Sequence, residues 1–173
     1  MHALFDLCHT RLQLNAVGFG AAISACEKCG EWEWPLVLLN DMQTWGLSGD
    51  EVCINAAMSG CGKQEQWEAA LSLFASLINT SNPQRVHISS VSCNAAISAC
   101  EKSKQWQRAM QLLYAMPELR AVPDVISFSA AISACEKGLQ WSWALFLLSD
   151  MIRHGIDPNI ITMNAAPRQA MGG

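Results

Sequence analysis

The chain is 173 residues long, 51% hydrophobic and only 15% charged, with 11 Lys and Arg against 15 Asp and Glu for a formal net charge of −4. That apolar fraction supports a buried core and excludes general disorder, while the acidic balance means that affinity for nucleic acid has to come from local placement of charge. No apolar run approaches the roughly 18 residues of a membrane span.

In chain order, Met1 to Asn15 reads neither as a secretory signal nor as an arginine-rich transit peptide, and forms a partial leading unit. From there self-similarity dominates. The string AlaIleSerAlaCysGluLys occupies Ala22–Lys28, Ala96–Lys102 and Ala131–Lys137, and a degenerate copy occupies Ala57–Lys63. The period is 35 residues with one four-residue insertion, giving units at 16–50, 51–89, 90–124 and 125–159 and a truncated trailing unit at 160–173. Cys26, Cys61, Cys100 and Cys135 recur at one place, as do Trp32, Trp67, Trp106 and Trp141. Leu38, Leu73, Leu112 and Leu147 form a third ladder, and Met42, Leu77, Met116 and Met151 a fourth. Half of the cysteines thus follow from the repeat, and a reducing compartment suits them better than a disulfide framework.

Each unit reads as two helices. Polar or Gly-rich breaks at 29–31, 64–66, 103–105 and 138–140 separate the halves, and the second helix of the last full unit stops at His154, Gly155 and Pro158. Pro35 stands where the other units have alanine, which predicts a late or distorted second helix there. The insertion falls around Asn79–Ser89, a predicted longer loop. The trailing unit starts well but meets Pro167 and ends in Gly172 and Gly173.

On the helical wheel of the first helix, Phe128, Ala131, Ile132 and Cys135 make the core side. The opposite stripe holds Ile126, Ser129, Ala130, Ser133 and Lys137, and recurs as Val17, Gly20, Ser24, Lys28; as Val52, Asn55, Ser59, Lys63; and as Val91, Asn94, Ser98, Lys102. Stacked hairpins would align these stripes into a groove with ladders of serine and lysine, a surface able to approach a phosphate backbone. The bland reading is that the lysines are solvated helix ends.

The unit Val125–Asn159 resembles a pentatricopeptide repeat of the P type: it carries the Ser127–Ile132 opening, Lys137-Gly138, Ala144, Leu147, Met151 and the closing run Gly155 to Asn159. The resemblance covers about residues 16–164. It implies an all-α fold, a right-handed α-solenoid of antiparallel hairpins, that binds single-stranded RNA one repeat per base. It also implies which residues read the bases. A polar residue near the start of the first helix works with the last residue of the unit, and the aliphatic residue at the second place holds the base. Asn94 with Asp124 resembles a uracil-preferring pair, Ser129 with Asn159 an adenine-preferring pair, and Asn55 with Ser89 a cytosine-leaning pair. Gly20 with Asp50 departs from the pattern. The clamps would be Val17, Val52, Val91 and Ile126, with Lys28, Lys63, Lys102 and Lys137 near phosphate.

The same resemblance implies a role in RNA processing, stability or translation, in a mitochondrion or chloroplast, without a cofactor and without DNA or membrane as partner. A protein-binding helical scaffold is the alternative, motivated by the acidic charge. Cys26 and Cys29 make a lone CxxC without a second half, and Cys26 belongs to the core ladder, so a zinc or redox role has little support. His2, His9, His87 and His154 share no spacing with the cysteines. The tryptophan ladder is better suited to packing between units than to base stacking. No phosphate loop or nucleophile-base constellation is present, and the chain reads as a non-enzyme.

Overall fold

A computed structural model of the protein describes residues 16–47, 49–80 and 88–165. Among these the helices are α1 (Ala16–Cys29), α2 (Glu33–Thr44), α3 (Glu51–Lys63), α4 (Trp67–Thr80), α5 (Ser90–Lys102), α6 (Trp106–Ala115), α7 (Val125–Lys137), α8 (Trp141–Arg153) and α9 (Ile160–Ala165). The described residues contain no strand.

The first helices α1, α3, α5, α7 and α9 pack each against the next, each second helix packs on its own partner, and α2, α4 and α6 pack also on the following first helix. This is a solenoid: every unit buries its apolar face only against its neighbours.

Small residues let the first helices approach closely. A Cβ added at Gly62 would lie 3.0 Å from Ala99 Cα, and one at Gly60 would lie 3.7 Å from Glu27 Cα. The core runs between the two rows. Phe128, Ala131, Ile132 and Cys135 are buried as the wheel predicts, with Met58, Ile97, Cys61 and Cys100 repeating the pattern. Met42, Leu77, Met116 and Met151 are all buried. In the leucine ladder only Leu147 is fully buried; Leu38, Leu73 and Leu112 are half-buried, because Leu39, Phe74 and Leu113, one residue on, point straight into the core.

Turn chemistry is as periodic as the core. In each hairpin the carbonyl of the repeated cysteine accepts the N–H five residues on: Cys26 from Glu31 at 3.1 Å, Cys61 from Gln66 at 2.9 Å, and Cys100 and Cys135 from Gln105 and Gln140 at 2.8 Å. Closing a helix this way requires a left-handed residue just before the donor. That residue is Gly30 at φ 75° in the first unit, but Glu65, Lys104 and Leu139 at φ 59°, 58° and 57° in the others.

Pro35 does delay its helix: α2 opens at Glu33, one residue later than the tryptophan that opens α4, α6 and α8. Pro35 then sits in the first turn, where a missing N–H leaves no intrahelical bond unmade. The expected loop at Asn79–Ser89 is shorter at its start, since α4 continues through Thr80. Its residues 81–87, the leading unit 1–15 and the tail 166–173 lie outside the described residues, as do His2, His9 and His87.

Candidate nucleic-acid interface

The last residue of each unit is the N-cap of the next first helix. Asp50 Oδ1 accepts the Cys53 N–H at 2.8 Å, Asp124 Oδ1 the Ser127 N–H at 2.9 Å, Asn159 Oδ1 the Thr162 N–H at 2.9 Å, and Ser89 Oγ the Ser92 N–H at 3.3 Å. Short polar side chains at this place satisfy amides that have no carbonyl to meet. Hydrogen bonds from Cys53, through thiol and N–H, hold the Asp50 carboxyl below its ordinary pKa.

This cap lies beside the fifth residue of the preceding first helix. Asn94 Nδ2 donates to both Asp124 oxygens, at 3.2 and 3.3 Å, and Asn159 Nδ2 donates to Ser129 Oγ at 3.3 Å. Two of the sequence-derived pairs are thus in hydrogen-bond contact across about one repeat. Asn55 and Ser89 differ: Ser89 donates to Glu51 Oε1 in a short hydrogen bond, and Asn55 Oδ1 is buried without a partner among the described residues. At Gly20 an added Cβ would lie 3.3 Å from Cys53 Sγ, and beside it a cleft opens between Val17 and Val52, lined also by Ser24 and Asp50.

The second-place aliphatics are the exposed edge of this surface. Val17, Val52, Val91 and Ile126 are 76%, 70%, 64% and 62% exposed. Exposure of four branched side chains at one register position, in helices whose other large apolar residues are buried or half-buried, is an unsatisfied apolar row.

The middle of the stripe is less open than the wheel alone suggests. Ser129 and Ala130 are buried, and Ser24, Ser59, Ser98 and Ser133 are half-buried, because the neighbouring first helices cover them. Two of the four lysines carry ion pairs with the preceding unit. Lys63 Nζ lies 3.1 Å from Glu27 Oε1 and Lys137 Nζ lies 2.9 Å from Glu101 Oε1, and the same carboxylates accept the Ser59 and Ser133 hydroxyls at 2.8 and 2.9 Å. Burial raises the Glu27 pKa, but the bonds from Ser59 and Lys63 outweigh it and hold the carboxyl below its ordinary value. Between the second and third units this clamp has no carboxylate, since Gly62 stands at the glutamate's place opposite Ser98 and Lys102. Lys28 is exposed in the last turn of α1.

The cross-unit glutamates and Glu51 are the residues that wheel reasoning passes over. Their signal is a spacing of 36 between Glu27 and Lys63 and between Glu101 and Lys137, one repeat plus one residue. The tryptophans lie elsewhere. Trp32, Trp67 and Trp106 are half-buried, and a Cβ at Gly138 would come within 2.5 Å of Trp106 Cδ1, so that ring packs on the next unit's turn; Trp141 is exposed. Among the described residues no His, Cys, Asp and Glu group could hold a metal ion, and no helix is long and apolar enough to cross a membrane. Burial pushes the Cys93, Cys100 and Cys135 thiols up to about 11, so they are packing groups and not ready thiolates.

Together these features define an all-α solenoid whose capped first helices carry an exposed aliphatic row, with a cap-and-partner contact beside it in the last two full units. The pentatricopeptide repeat matches residues 17–47, 52–79 and 126–156, and a pentatricopeptide repeat domain matches 76–137. With more than half of its length matched, the chain belongs to the pentatricopeptide repeat family. No curated protein sequence matches it. It is similar in fold to the crystal structure of the pentatricopeptide repeat protein PPR10 from maize, at 19% identity and TM-score 0.78, over 95% of this chain and 23% of that one. A structure of PPR10 in complex with an 18-nt psaJ RNA element is similar at 18% identity and TM-score 0.79, over 91% of this chain and 22% of that one. The chain therefore spans under a quarter of the length of these solved relatives.

Proposed function

We propose that the chain binds single-stranded RNA, one nucleotide per repeat, with units at 16–50, 51–89, 90–124 and 125–159. The observation that carries this reading is the pairing of Asn94 with Asp124 and of Ser129 with Asn159 beside the exposed Val91 and Ile126. Each pair offers donors and acceptors to a base edge, and each branched aliphatic offers an apolar face for the base to lie on. The RNA-bound state of the similar PPR10 supports the same use of the fold.

Asn94 and Asp124 are proposed to favour uracil, and Ser129 and Asn159 adenine. The repeat with Gly20 lacks a side chain to read with. Lys28 and Lys102 are the proposed phosphate contacts of first rank, because Lys63 and Lys137 have to leave or share a glutamate to reach a phosphate. RNA processing, stability or translation in a mitochondrion or chloroplast is the setting that the family implies.

The test is equilibrium binding of a panel of short single-stranded RNAs that differ at one nucleotide each. Asn94→Ala should erase discrimination at one nucleotide and Ser129→Ala at its neighbour, and affinity should fall as salt rises. Uniform weakening across the panel defeats the assignment of bases, and no salt-dependent binding of any RNA favours a protein-binding scaffold instead.

A further inference from the structure

Repeat 2 begins with a carboxylate, Glu51, where the other units begin with Ala16, Ser90, Val125 and Ile160. Its Oε1 accepts the Ser89 N–H at 3.2 Å and the Ser92 hydroxyl at 2.5 Å, besides the short bond from the Ser89 hydroxyl. One junction later the matching places are wired differently. There Asn94 contacts the cap Asp124 through Nδ2, and its Oδ1 accepts the Ser127 hydroxyl at 2.6 Å. By repeat register Asn55 corresponds to Asn94, Ser89 to Asp124 and Ser92 to Ser127. Glu51 has taken both of the partners that Asn94 keeps, and the buried Asn55 Oδ1 is left without one among the described residues.

We infer that Glu51 is a specificity-determining residue of repeat 2: it withdraws Ser89 from the base edge, so that Asn55 alone reads this nucleotide. This inference rests on the RNA-binding reading above. Asn55 Oδ1 is an acceptor that a base donor would complete when the amide turns outward, in keeping with the rule that buried polar atoms find partners. Every one of the four bases carries a donor on its Watson–Crick edge: the amines of cytosine and adenine, the imide N–H of uracil, and both kinds in guanine. Each base also carries an acceptor there for the amide's Nδ2, so a single amide separates them weakly. A second group at a fixed distance is what turns acceptance into discrimination, and Ser89 is the group that Glu51 holds.

The experiment uses the full chain and single-stranded RNAs with uracil and adenine fixed opposite repeats 3 and 4, varying only the nucleotide opposite repeat 2. The native chain should bind the four RNAs within about twofold of one another, while Glu51→Ala should favour cytosine over purines by about fivefold or more. Adding Ser89→Ala to Glu51→Ala should remove that gain. A native chain that already discriminates by fivefold at this nucleotide, or a profile unchanged by Glu51→Ala, overturns the inference. The contact has its own readout without RNA: in urea unfolding, Glu51→Ala and Ser89→Ala should be non-additive by about fivefold or more in the equilibrium constant, and additivity overturns it. Should coupling be present while no RNA binds, the functional reading falls together with the specificity role, and only the contact stands.

Discussion

Asp124→Ala removes one side chain that serves three groups: the Ser127 N–H at 2.9 Å, the Ser127 hydroxyl at 2.9 Å and Asn94 Nδ2 at 3.2 Å. Loss of an N-cap acceptor costs about 1 kcal/mol. The Ser127 hydroxyl stays satisfied, because it also donates to Asn94 Oδ1 at 2.6 Å. Asn94 Nδ2, half-buried, loses its acceptor at a cost of about 1 kcal/mol more. The sum is about 2 kcal/mol, or roughly 4–8 °C in Tm for a chain of this size. Asp124→Asn keeps an amide oxygen for the Ser127 N–H and should cost no more than about 1 kcal/mol. Urea unfolding followed by circular dichroism, with m unchanged, measures both. Equal losses for the two variants, or less than about 0.5 kcal/mol for Asp124→Ala, would refute the idea that one side chain both caps a helix and holds its cross-repeat partner.

Leu139→Gly should stabilise the chain by about 0.5–1 kcal/mol, since a left-handed non-glycine residue costs roughly 1–2 kcal/mol and glycine's extra chain entropy offsets part of that; Leu139 is exposed at φ 57°, so little burial is lost. A lower urea midpoint for Leu139→Gly contradicts this. Gly62→Ala should cost about 1–3 kcal/mol by overpacking, because the new Cβ lies 3.0 Å from Ala99 Cα and Cβ; an unchanged melting curve would show that α3 and α5 separate freely. Glu27→Ala should cost about 1 kcal/mol at neutral pH, mostly through the Ser59 bond, the ion pair to the exposed Lys63 adding little. Since the Glu27 pKa is lowered from 4.5, its contribution is present above that pH and is lost as pH falls through the folded value. The native and Glu27→Ala chains should therefore converge in stability in acid, and a difference that persists there contradicts the clamp.

What could be read from the residues and what could not divide along a physical line. Helix pairs, their core faces and the four short turns follow from periodicity inside one unit, because a helix places residues three and four apart on one side whatever its surroundings. Pro35 and its one-residue delay belong to the same local class. Contacts between units depend on how closely helices stack, which no wheel contains. Hence the wheel left Ser129 and Ala130 open where the neighbouring first helices bury them, and passed over the Glu27 and Glu101 carboxylates that join adjacent units. The left-handed turn residues Glu65, Lys104 and Leu139 were hidden for another reason: tertiary closure overrides the local preference that reserves such angles for glycine. The caps were visible as Asp, Ser, Asp and Asn at a fixed register, yet their second contact with the preceding helix emerges only once the units are stacked.

One exchange addresses the central claim directly. Replacing Asn94 by Ser and Asp124 by Asn gives repeat 3 the pair that repeat 4 carries, in a backbone already arranged for it. Binding to the single-nucleotide RNA panel should switch from uracil to adenine at the one position opposite repeat 3 and stay the same at its neighbours. Altered preference at several nucleotides together, or none at any, would contradict reading by one pair per repeat.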